Sequence, residues 1–101
     1  MPAKTLYLAV GPHCWGRGET PQQAIARCRV NYPASLMKRI KGTNKPMPMS
    51  YNLYKGPEDL YVDEMGSVRW KEGKILKVRE VLHDEDGKRH VKELNEELGG
   101  E

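Results

Sequence analysis

Apolar and polar positions alternate over residues 4–10, KTLYLAV, with Leu6, Leu8 and Val10 to one side and Thr5, Tyr7 and Ala9 to the other. A period of two marks a strand. The pattern breaks at Gly11, and GPHCWGRGE (11–19) reads as an irregular passage in which Gly11, Gly16 and Gly18 turn the chain. From Thr20 the period becomes helical, since Ala24, Ile25, Cys28 and Tyr32 share one face. Thr20 suits the N-cap, Pro21 the first helical position and Gln23 the third position of a capping box. Pro33 disfavours a helical Tyr32, which puts the helix end near Asn31.

Further on, ASLMKRIKG (34–42) brings Leu36, Met37 and Ile40 together as a second, short helical piece, and TNKPMPM (43–49) reads as a loop. Residues 49–55 alternate again, with Tyr51 and Leu53 inward. GPED (56–59) is a turn, and residues 60–62 and 68–70 flank DEMGS as the arms of a hairpin. Residues 75–82 fit either period, and the β-branched Ile75, Val78 and Val81 tip them towards strand. DEDG (84–87) is a turn. HVKELNEELGG (90–100) spaces Val91, Leu94 and Leu98 as a helix that Gly99 would cap. The class implied is α+β: a mostly antiparallel sheet of three to five strands packed by one main helix, with a C-terminal helix.

Composition narrows this picture. A chain of 101 residues is one domain, 1–101, with flexible terminal residues expected. There is no Phe, so five Tyr and two Trp supply the aromatic bulk, and each needs a partner for its polar tip when buried. No apolar run approaches the roughly 18–20 residues of a membrane span. The N-terminal apolar stretch is too short for a secretory signal, so the expectation is a cytoplasmic protein with no membrane partner. In that compartment Cys14 and Cys28 stay thiols.

Charge is distributed unevenly. Residues 1–55 carry nine Lys/Arg against Glu19 alone, whereas residues 56–101 carry eight against thirteen Asp/Glu. Such asymmetry points to a polyanion-binding half or an acidic tail. Arg27, Arg29, Lys38, Arg39 and Lys41 form the candidate nucleic-acid contacts, with Lys45 and Tyr32 beside them. No recognition-helix motif accompanies them, so contact would be led by phosphate.

Other chemistry is less well supported. His13 and Cys14 adjoin, but neighbours on an extended segment point opposite ways, and no spaced base accompanies the thiol. Cys14, Cys28, His13, His83 and His90 lack metal-ligand spacing, so neither metal nor cofactor is expected. GRGET at a helix start has the backbone of an anion site, but Glu19 stands in it and turn chemistry explains it.

The segment GRGETPQQAIARC (16–28) resembles the strand-to-helix passage of HicB-type antitoxins, with Gly18, Thr20 and Ala24 in the places of a G-x-T-x-x-x-A pattern. That resemblance implies a capped first helix of a partial ribonuclease-H-like fold. The family places a hairpin before this helix, where this chain offers one clear strand and an irregular passage. The Trp-Gly-x-Gly element and YNLYKGPEDLYVDEMGSVRW (51–70) are similar in style to small bacteriophage and prophage proteins, which implies a regulatory or host-interaction role. The expectation is a non-enzymatic binding module, monomer or homodimer, acting on nucleic acid or a nucleoprotein complex. The alternative is an adaptor or inhibitor that meets a host protein through Tyr51, Tyr54, Tyr61 and Trp70, since Tyr and Trp are common interface anchors.

Overall fold

The computed structural model describes residues 5–99, and the expectation for the terminal residues falls outside that range. Seven strands and one helix follow in the order β1 (Thr5–Val10), β2 (Trp15–Gly18), α1 (Pro21–Val30), β3 (Tyr51–Pro57), β4 (Tyr61–Val62), β5 (Val68–Arg69), β6 (Ile75–His83) and β7 (Arg89–Leu98). Five strands form one antiparallel sheet in the order β2-β1-β3-β6-β7, and β4 with β5 forms a separate small hairpin. The α+β architecture with a single main helix is the one the sequence implies.

Both sides of this sheet are covered, by different things. On one side α1 lies across β1 and β2, and Ala24 and Cys28 meet Ala9, Tyr51, Leu53 and Val81 in one core cluster. On the other side Leu8, Leu60 and Ile75 form a second cluster, closed by Val62, Val68, Trp70 and Leu98. The alternation in β1 therefore serves two cores, with Leu8 and Ala9 both fully buried on opposite faces.

The passage 11–19 is more regular than its glycines suggest. Trp15–Gly18 is strand β2, paired with β1 in the register Tyr7↔Gly18 to Val10↔Trp15. Gly16 and Gly18 do not turn the chain; neither has positive φ. A Cβ on Gly16 would overlap the backbone of Cys28 and Ala24, so glycine here lets α1 rest directly on the strand. A hairpin thus does precede the helix.

Helix α1 starts as the sequence predicts. Thr20 Oγ1 accepts from the Gln23 amide at 3.1 Å, and Gln23 Oε1 accepts from the Glu19 amide at 2.9 Å, one residue before the N-cap. It stops at Val30, with Asn31 as C-cap.

Two expectations are corrected. The second helical piece over 34–42 shrinks to a single 3-10 turn, Ala34–Leu36, and the chain then makes a loop held by the Arg39↔Pro46 bridge. The C-terminal helix is strand β7. The DEDG turn folds the chain straight back: Gly87 takes φ +80°, and Asp84 Oδ1 accepts from the Asp86 and Lys88 amides. The returning strand then sets Lys92 opposite Glu80, Glu93 opposite Arg79 and Glu96 opposite Lys77. Pairing of opposite charges outweighs a helical spacing that had no core to pack against. Gly99 ends a strand at φ +67°, close against Trp70, rather than capping a helix.

Candidate functional site

The five basic side chains proposed from sequence do not share one face. Arg27 and Arg29 are two residues apart on α1 and so point to different sides of it. Arg27 reaches β2, where its Nη1 donates to the Arg17 carbonyl at 2.6 Å, while Asn31 Nδ2 donates to the Trp15 carbonyl at 3.1 Å. These carbonyls face away from β1, so the helix closes that edge of the sheet. A hollow of about 700 Å³ beside them, lined by His13, Trp15, Arg17, Arg27, Val30 and Asn31, has both of its guanidinium groups and its amide already engaged with main-chain carbonyls.

Arg29 faces the opposite side. With Arg89 and Tyr32 it borders a groove of about 460 Å³ between the end of α1, the 37–49 loop and the sheet, floored by Met47, Met49, Tyr51 and Val81. Lys38 borders an adjoining hollow with Tyr32, His83, Asp84 and Glu85. Lys41 is paired with Glu85 at 3.4 Å, and Arg39 Nη1 donates to the Asn44 carbonyl at 2.8 Å within its own loop. Arg89 was missed from sequence because only the 84–87 turn brings it beside Arg29.

Carboxylates near the groove are already occupied, Asp84 by His90 at 2.9 Å and Glu85 by Lys41. The His90 hydrogen bond, helped by the Lys88 and Asp86 amides, holds the Asp84 carboxyl below its ordinary value. Among the described residues, neither Arg29 nor Arg89 enters an ion pair. His83, at the groove's inner end, is held by Ser50, whose Oγ accepts from the His83 amide at 3.0 Å and lies 3.3 Å from Nδ1. Burial first, then the charges of Arg89 and His90, push the His83 imidazole below its usual value. The groove's charge at neutral pH is therefore that of its arginines.

The aromatic set is divided: Tyr51 is buried, Tyr54 and Trp70 are half-buried and Tyr61 is exposed. Tyr51 is only 8% exposed, and Tyr54 and Trp70 pack on the second core, where Trp70 Nε1 donates to the Gly73 carbonyl at 2.9 Å. Tyr61 alone of the four is open, at 45%. Tyr51 acts chiefly in the core and reaches the surface only as part of the groove floor.

His13 and Cys14 diverge, as expected for neighbours. The His13 ring meets Tyr32 edge-on at 5.9 Å, while Cys14 Sγ lies 3.2 Å from Cys28 Sγ. Both cysteines are thiols. Burial, then the hydrogen bond and charge of Cys14, push the Cys28 thiol up to about 12, the opposite of an activated nucleophile. Among the described residues, no three His, Cys, Asp or Glu side chains gather to hold a metal ion, and no helix is long and apolar enough to cross a membrane. No family model, no curated protein and no solved structure matches the chain.

Proposed function

We propose that the protein is a non-enzymatic binding module that takes the backbone of a nucleic acid, alone or within a nucleoprotein complex, along the groove between α1 and the start of β7. The observation that carries this is the placement of Arg29, Arg89 and Tyr32 on one concave surface, the two arginines without carboxylate partners among the described residues, with Lys38 bordering the adjoining hollow. Two guanidinium groups can each bind phosphate oxygens, and the Tyr32 ring offers a face for a base. Contact of this kind reads phosphate rather than sequence. Arg27, Arg39 and Lys41, engaged elsewhere, contribute to the surrounding field only.

Fluorescence anisotropy of labelled single- and double-stranded DNA and RNA tests this. Binding is expected to weaken with salt, with a log–log slope near −2 for two phosphates on duplex and somewhat less on single strands. Arg29→Glu combined with Arg89→Glu should abolish binding while Arg39→Glu leaves most of it. No binding at low salt, or equal losses from all three substitutions, would remove the groove from consideration.

A protein partner is the second reading, favoured by one observation. The β2 edge is closed by α1, whereas β7 presents ten residues along the other edge of the sheet. Strand addition there would bind through main-chain hydrogen bonds and hardly respond to salt.

A further inference from the structure

The helix-side core holds three sulfur atoms that the groove reading does not use. Cys14 Sγ lies 3.2 Å from Cys28 Sγ and 3.9 Å from Met49 Sδ, and Cys28 Sγ lies 3.7 Å from the same thioether. The circle through three points so spaced has a radius, the product of the sides over four times the area, of about 2.1 Å. A metal–sulfur bond is about 2.3 Å long, so an ion about 0.9 Å out of the sulfur plane reaches all three without moving any.

Gly11 supplies an independent observation. A Cβ placed there would stand 3.1 Å from Cys14 Sγ, 3.4 Å from Cys28 Sγ and 3.5 Å from Met49 Sδ. Near-equal distances mark a point over the middle of the triangle. Gly11 does not have positive φ, so backbone conformation does not call for glycine; what a side chain there would crowd is the sulfur triangle itself.

We propose that Cys14, Cys28 and Met49 form a trigonal site for a soft monovalent metal ion, Cu(I). Thiolate and thioether donors together favour Cu(I) over harder ions. Zinc asks for four donors, and among the described residues no third Cys, His, Asp or Glu joins the pair. On binding, two S–H bonds break, both protons pass to solvent, two thiolate bonds and one thioether bond form, and no electron is transferred. The resulting single negative charge lies within reach of the Arg29 field, which acts on Cys28.

The test is anaerobic titration of the reduced chain with Cu(I), supplied as its acetonitrile complex, against a chromophoric Cu(I) chelator. One ion per chain is expected, with three sulfur neighbours at one distance by X-ray absorption. Met49→Leu keeps the volume and Gly11→Ala fills the space over the triangle; each should weaken binding by about ten- to a hundredfold. Circular dichroism identifies a variant that fails to fold, and Met49→Leu then decides. Failure to withdraw Cu(I) from the chelator overturns the site. So does equal affinity of wild type and Met49→Leu, which would show two thiols acting without the thioether.

Discussion

Gly16 is the residue on which the helix layer depends, because at that point α1 and β2 touch backbone to backbone. A methyl group there cannot be relieved by a rotamer change, since the atoms it meets belong to Cys28 and Ala24 main chain. Gly16→Ala should cost about 2–3 kcal/mol or more in urea unfolding. At Gly11, where the neighbours are side-chain sulfurs at 3.1–3.5 Å, the same change should cost clearly less than at Gly16. His83 makes a different kind of prediction. Its folded pKa is depressed by burial, so neutral His83 contributes stability that is fully present above its ordinary value of 6.5. As pH falls below 6.5 the unfolded chain takes up a proton that the folded chain refuses, and the contribution is lost down to the folded pKa. The Tm of wild type should therefore fall towards that of His83→Gln over this window. A constant difference between the two from pH 7.5 to 5 would contradict it.

At the scale of elements, what was legible followed from how much of each element's behaviour is local. Helix α1 carries its own start and stop in Thr20, Pro21, Gln23 and Pro33, and β3 buries the Tyr51 and Leu53 its alternation selects. In β6 the strand was legible but not its inward face: Ile75 and Val81 are buried and Leu82 is exposed, with a register shift between Lys77 and Arg79 that no alternation in the sequence announces. Strand β2 was hidden because its two glycines read as turn residues, when their reason lies in the helix that packs on them. Strand β7 was hidden because its partner, β6, lies across a turn, and charge pairing is invisible until the register is known. The groove was half legible for the same reason: Arg29 and Lys38 stood in the basic segment, but Arg89 joins them only through the fold. The three sulfurs come from the 11–14 turn, α1 and the approach to β3, a set with no sequence motif. If charge pairing holds β7 in place, Glu93→Lys, which sets two cations opposite each other at Arg79, should cost about 0.2–1 kcal/mol. Hydrogen exchange gives a second check: alternate β7 amides, those turned to β6, should be protected and the others fast. Protection of consecutive amides would instead indicate a helix.

At the scale of the whole molecule, one sheet separates two thin cores, and neither core is large enough to dominate. The small hairpin that covers the second core is tied to the first strand pair by Arg17, whose Nη1 donates to the carbonyls of Leu60 at 2.9 Å and Glu58 at 3.2 Å. Its own turn is set by Asp63, which accepts from the Met65 and Ser67 amides and from Arg69. Leu60 is the one fully buried side chain that this layer contributes, so Leu60→Ala should destabilise by about 2–4 kcal/mol. Ile25→Val, on the helix side, should cost about 0.5–1.5 kcal/mol. These residues touch opposite faces of the sheet and share no cluster, so the double variant should lose the sum of the two to within about 0.5 kcal/mol. A coupling above about 1 kcal/mol in that cycle would mean that the strands transmit packing from one face to the other. The groove on the helix side could then no longer be treated as independent of the hairpin beneath the sheet. Additivity, in contrast, would leave the groove and the sulfur triangle as properties of the helix-side layer alone, open to mutation without disturbing the other half.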